Sequence, residues 1–165
     1  MTPPVRVAGP EDATVVGRLL AEFRTHTGRD WPPETTMRAS VERLIGRDDT
    51  EYLLGGEPAM GVVQLRYRHS VWFDADDCHV EDVFVRAEAR GSGLGRALVS
   101  AAIERARLRG CRRLELDTGE ENAPALALYR SLGFRSGDDE PGRLAVFMRR
   151  RIPENMPPGV DEPPA

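Results

Sequence analysis

Six consecutive residues, Arg90-Gly91-Ser92-Gly93-Leu94-Gly95, carry the clearest chemical signal in the sequence. They follow a β-prone run that ends at Val85 and precede a stretch rich in alanine and leucine. A strand that turns into a helix through glycines offers an anion several backbone N–H groups and about half a positive charge. Without Cβ atoms at Gly91, Gly93 and Gly95, a diphosphate can approach the backbone closely. Arg90 and Arg96 flank the turn with groups able to make charge-assisted bonds. The same spacing also suits a plain, tight strand–helix turn. A Walker-type loop is excluded, because it ends in Gly-Lys-Ser/Thr and all 23 basic residues here are arginine. The glycines run G-x-G-x-G, so the dinucleotide fingerprint G-x-G-x-x-G is not met. Metal chemistry finds no footing either. His26, His69 and His79 are scattered, and Cys78 and Cys111 show no paired ligand spacing.

Hydrophobic periodicity supplies the elements that must hold this turn. Val5–Ala8 reads as a short strand stopped by Gly9-Pro10, with Asp12 as the N-cap of a helix striped by Val16, Leu19, Leu20 and Phe23. Met37, Val41, Leu44 and Ile45 mark a second helix, ended by Gly46. Tyr52–Leu54, Gly55-Gly56 and Met60–Arg68 form a β-hairpin, and Val63, Leu65 and Tyr67 alternate with polar neighbours as in a half-buried strand. A polar loop with Asp74, Asp76 and Asp77 leads to a strand from Cys78 to Val85. The helix after the glycine turn has Leu94, Ala97, Leu98, Ala101, Ala102 and Leu108 on its buried side. Leu114 and Leu116 belong to a further strand. Asn122 caps a short helix with Pro124 in its first turn, and Gly133 follows that helix. Phe134-Arg135 and Leu144–Arg149 are read as a closing hairpin. The order is β-α-α-β-β-β-α-β-α-β-β, one mixed α/β domain over residues 1–152, with a Pro-rich, acidic, disordered tail over 153–165.

Composition narrows the function. A net charge of -4 argues against a general nucleic-acid binder. No apolar run approaches the ~20 residues of a membrane span, and no secretory leader is seen, so a cytoplasmic location is expected.

Together these segments resemble the GNAT (GCN5-related) N-acetyltransferases. Their acetyl-CoA signature, Arg/Gln-x-x-Gly-x-Gly/Ala, is filled by Arg90 to Gly95, and Asn122 to Phe134 is similar to the family's Asn-x-x-Ala-x-x-x-Tyr…Gly-Phe segment. The two segments also occur in the family's order and spacing. The resemblance implies the GNAT acyl-CoA fold, a mixed and mostly antiparallel sheet splayed at two cofactor strands and flanked by about four helices. It implies acetyl-CoA as co-substrate and no metal. It places the pantetheine arm against the backbone of Phe84 and Val85, and the diphosphate on the amides of Gly91, Ser92, Gly93, Leu94, Gly95 and Arg96, with Arg90 beside them. Asn122 is expected both to cap its helix and to contact the cofactor.

By the same resemblance Tyr129 protonates the departing CoA thiolate, its ring facing the core at i+4 from Ala125. Glu81 is favoured as general base. Asp82, its neighbour on the strand, is expected to point to the opposite sheet face and to be structural, and Asp117 is a third candidate. The implied reaction is direct acetyl transfer to a primary amine of a small molecule, within a ternary complex. A protein N-terminus or lysine as acceptor, and a non-catalytic acyl-CoA sensor, are the alternatives. Trp31, Trp72 and Phe73 are candidate walls for the acceptor, with Asp74, Asp76 and Asp77 as its cation attractors. No nucleic-acid or membrane partner is expected, and a homodimer is allowed.

Overall fold

The computed structural model describes residues 2–136 and Arg150. The expected strand at 144–149 and the expected tail lie outside the described residues. Among the described residues five strands form one sheet in the order β1-β2-β3-β4-β5, with β1 at Val5–Val7, β2 at Thr50–Gly55, β3 at Gly61–Ser70, β4 at Ala75–Val85 and β5 at Arg113–Leu116. Neighbours are antiparallel except β4 and β5, which run parallel. Four α-helices are present among the described residues: α1 Ala13–His26, α2 Glu34–Leu44, α3 Leu94–Leu108 and α4 Ala123–Ser131.

Each sheet face has its own core. On one, Val16, Leu19 and Leu20 of α1 and Val41 of α2 pack on Tyr52, Leu54, Val62 and Phe84. On the other, Leu94, Leu98, Ala102 and Ala106 of α3 cover Leu53, Val63, Leu65, Tyr67, Cys78 and Val80. Leu98 is fully buried; truncating such a leucine to alanine costs about 2–5 kcal/mol. Two ion pairs tie the layers together. Arg105 of α3 meets Glu51 of β2 through two bonds of 2.8 Å, and Arg86 after β4 grips Glu22 of α1.

Several expectations from the sequence are corrected here. Covered on both faces, β3 is buried from Gly61 to Leu65, Gln64 included, and the expected alternation shows only from Arg66 onward, with Tyr67 buried between Arg66 and exposed Arg68. The buried row of α3 continues through Ala106, the i+4 successor of Ala102, so Leu108 in its last position is 61% exposed. Asp12 makes no side-chain cap for α1. Its carboxylate instead takes two 2.6 Å bonds from Arg6 and one from the N–H of Gly9, fixing β1 to the helix start. These bonds hold the Asp12 carboxyl below its ordinary pKa, the Arg6 contact being the main cause.

Candidate active site

The sheet opens where a cofactor arm is expected. Among the described residues β4 pairs with β5 only from Asp77↔Arg113 to Val80↔Leu116, and beyond Val80 none of them forms a strand on that edge of β4. A bulge explains the parting. Across β3–β4, Leu65 lies opposite Val80 and Gln64 opposite Asp82, so Glu81 is an extra residue without a partner. Bulges bend a strand and increase its twist, which turns the rest of β4 away from β5. Phe84 and Val85, paired on their other side with Val62 and Gly61, therefore present an open backbone edge. Gly61 is required beneath them: a Cβ there would lie 2.8 Å from Leu98 and 2.9 Å from the Phe84 carbonyl oxygen.

At the end of β4 the chain makes one 3-10 turn, Ala87–Ala89, and enters α3 through the glycine turn. Gly91 (φ 77°) and Gly93 (φ 85°) are left-handed, the conformation that L side chains resist. No atom lies within 4 Å of a Cβ built on either, so the turn faces open space. The N–H groups from Gly91 to Arg96 find no backbone acceptor among the described residues; the first helical bond runs from Ala97 to Gly93. Ser92 fastens the turn through its hydroxyl to the Ala89 carbonyl, 2.7 Å. The donor set fits a diphosphate. Arg90 is folded back, its Nε 3.1 Å from the Val85 carbonyl oxygen and its Nη2 3.2 Å from His26 Nε2. Arg96 reaches α4, 2.6 Å from the Ser131 hydroxyl.

The bulge also overturns the expected alternation of Glu81 and Asp82. Asp82 shares a face with Gln64 and Tyr52, its register neighbours on β3 and β2. Glu81, one step beyond the opposite-facing Val80, comes to that side as well, and both carboxylates act on the Tyr52 hydroxyl, which burial and Asp82 push up to about 12. Asp82 has no hydrogen bond among the described residues. Burial, with Glu81 adding to it, pushes its carboxyl up to about 6. Glu81 itself is exposed.

Across the opening, Asn122 accepts from the Ala125 N–H at 3.4 Å and starts α4. Tyr129 is half-buried on α4, edge-on to Phe134 at 5.7 Å between ring centres, and burial raises its hydroxyl above the ordinary range. Glu81, Leu116, Asp117 and Tyr129 line one cleft beside the parted strands. Asp117 lies 3.3 Å from His79 Nε2 and is largely exposed.

The proposed cation attractors are not assembled. Asp76 and Asp77 belong to β4 rather than to a loop, and arginines already hold them: Arg109 with Asp76 at 3.1 Å, Arg112 and Arg113 with Asp77 at 3.2 Å each. Asp74 is fully exposed. Trp72 is 88% exposed at the hairpin tip, and Phe73 lies under the Arg112 guanidinium rather than walling a pocket. Among the described residues no group of side chains suited to a metal ion occurs, and no helix is long and apolar enough to cross a membrane.

Known proteins share this framework. The profile of the acetyltransferase (GNAT) family matches residues 11–134. The IAA acetyltransferase of Azospirillum brasilense is 37% identical over 146 residues, covering 86% of this chain and 92% of that protein. A crystal structure assigned as an acetyltransferase from Arthrobacter sp. FB24 superposes with a TM-score of 0.82 at 29% identity, over 92% of this chain and 96% of that one. Some other relatives match over shorter stretches. The chain spans 31% of an uncharacterized N-acetyltransferase of Methanocaldococcus jannaschii, at 40% identity over 70 residues, which is 42% of this chain. With the profile covering most of the described residues and the full-length relative agreeing, the chain belongs to the GNAT acetyltransferase family, whose members draw acetyl groups from acetyl-CoA.

Proposed function

We propose that the chain is an N-acetyltransferase that moves an acetyl group from acetyl-CoA to a primary amine of a small molecule, by direct attack in a ternary complex. The carrying observation is the parting of β4 from β5 at the Glu81 bulge, before a glycine turn with six consecutive amides that are unpaired among the described residues. Acetyl-CoA supplies the activated thioester. Gly91 to Arg96 hold its diphosphate, and the open edge at Phe84 and Val85 pairs with its amide-bearing arm. The amine nitrogen bonds to the acetyl carbon as the carbon–sulfur bond breaks. The proton lost by the amine goes to Asp82, whose half-buried carboxyl near 6 is ionised yet still basic at neutral pH, with exposed Glu81 passing protons to solvent. The thiolate takes a proton from the Tyr129 hydroxyl, which burial keeps protonated. Asn122 at the start of α4 faces the same cofactor.

Thermal unfolding with acetyl-CoA tests the seat. Ligand at 100 times its Kd stabilises the fold by about 2.7 kcal/mol, roughly 5–11 °C in Tm. Amine-dependent release of CoA thiol then tests transfer. Well-folded protein showing neither response removes the reading.

A further inference from the structure

On the sheet face covered by α1 and α2, polar side chains interrupt the core next to the Glu81 bulge. Tyr52, Gln64 and Asp82 form one row across β2, β3 and β4, and Thr50, Arg66 and His79 form the next. Tyr52 is 1% exposed and Gln64 9%, yet neither side chain has a hydrogen-bond partner among the described residues. Among the described residues both polar groups are thus free to bond a guest molecule that reaches this row.

The charges around them have both signs. Asp82 and Glu81 act on the Tyr52 hydroxyl from one side, and the Arg66 guanidinium acts on it with opposite effect. Arg66 is only loosely engaged. Among the described residues its one polar contact is Nη2 to Asp49 Oδ2 at 3.4 Å, and Asp49 already accepts bonds of 3.0 and 3.2 Å from Arg47 and one of 3.0 Å from Thr50. Most of the five guanidinium donors are thus unused among the described residues. Arg66, Glu81 and Tyr129 line the same cleft. A purely cationic guest meets Arg66 as a like charge, and a purely anionic one meets Asp82 and Glu81. A molecule bearing an amine and an anionic group close together satisfies both.

We propose that the acceptor is a small amine carrying a carboxylate or phosphate near its amino group, the anion held by Arg66 and the amine directed to Asp82 and Glu81. Tyr52 and Gln64 supply the hydrogen bonds between the two ends. This assignment rests on the acetyl-transfer reading above.

The test measures CoA release with matched amines: an α-amino acid against its amide, 2-aminoethyl phosphate against 2-aminoethanol, and spermidine as a polycation. The anionic member of at least one pair is expected to exceed its neutral partner about 10- to 100-fold in kcat/KM, and the pair that does so tells carboxylate from phosphate. Arg66→Ala is expected to erase that preference through KM with little change in kcat, and Arg66→Lys to restore part of it. Acetyl-CoA thermal shifts of both variants check that they fold. Equal or better use of neutral amines or spermidine overturns the proposal, as does a preference unchanged in Arg66→Ala. Protein that binds acetyl-CoA but acetylates no member of the panel also counts against it. Wild-type protein with no acetyl-CoA shift sinks the acetyl-transfer reading itself, which separates the two failures.

Discussion

Asp82 lies opposite Gln64 while Val80 lies opposite Leu65, and the single unpaired residue between them sets the geometry of the whole site. It stops the β4–β5 ladder and brings two carboxylates to one side of the sheet. Asp82→Asn therefore separates chemistry from stability. A carboxyl raised from 3.8 to about 6 binds more protons folded than unfolded between those values. Stability contributed by the neutral form is accordingly lost as pH rises through that window. At pH 7.5 the asparagine variant is expected to be more stable than wild type by about 1–2 kcal/mol, less than the full shift because the side chain keeps some solvent. The difference should vanish near pH 4. Activity moves the other way, with kcat/KM down by about 10²-fold and the limb near pH 6 gone. Thermal unfolding and pH–rate profiles check the two halves, and a variant no more stable than wild type at pH 7.5 contradicts the burial argument.

Tyr129→Phe keeps the ring packed on Phe134 and removes the hydroxyl. A loss of about 10²-fold in kcat is expected, with acetyl-CoA affinity nearly unchanged. Steady-state kinetics beside calorimetric titration decide it, and an unaltered kcat removes Tyr129 as the acid.

Gly93→Glu isolates the diphosphate seat. A Cβ at this position meets nothing within 4 Å, so the variant should fold, with only the left-handed backbone at φ 85° to resist it. That strain is about 1–2 kcal/mol. Its carboxylate, placed at the start of α3, should abolish the acetyl-CoA shift. Normal binding by folded Gly93→Glu puts the seat elsewhere.

Gly61→Ala probes the support under the open edge. The added methyl would press on Leu98 and on the Phe84 carbonyl at 2.8 and 2.9 Å, and overpacking of this kind costs about 1–3 kcal/mol. Because the pressed Phe84 carbonyl belongs to the strand whose far edge is expected to take the cofactor arm, Kd for acetyl-CoA should rise together with the loss of Tm. Loss of stability with unchanged Kd would uncouple Gly61 from the site.

Much of this was legible in the residues. The element order from β1 to α4, the helix stripes of α1 and α2 and the glycine turn follow from periodicity and backbone freedom, which are local properties. The bulge was not legible. Glu81 carries no glycine or proline to announce it, and an extra residue in a ladder exists only relative to the partner strand. Tyr52 and Gln64 were overlooked for the same reason, since their adjacency to Asp82 depends on register across three strands. Asp76 and Asp77 read as a free acidic loop because their arginines, Arg109, Arg112 and Arg113, come from more than 30 positions away and meet them only in the folded chain. Leu108 fits the helical period but lies in the last position of α3, and a period does not say where a helix outruns its sheet.

The back-folded Arg90 changes what arrival of a ligand means at this edge. Its Nε already occupies the Val85 carbonyl oxygen, so a ligand amide that pairs there swaps one hydrogen bond for another. Such an exchange contributes little net free energy at the strand. The displaced guanidinium, however, is left a few residues from the glycine turn, where the diphosphate is proposed to sit. On that proposal Val85 would hold the cation in reserve, and the arm that displaced it would set a positive charge free beside the phosphates.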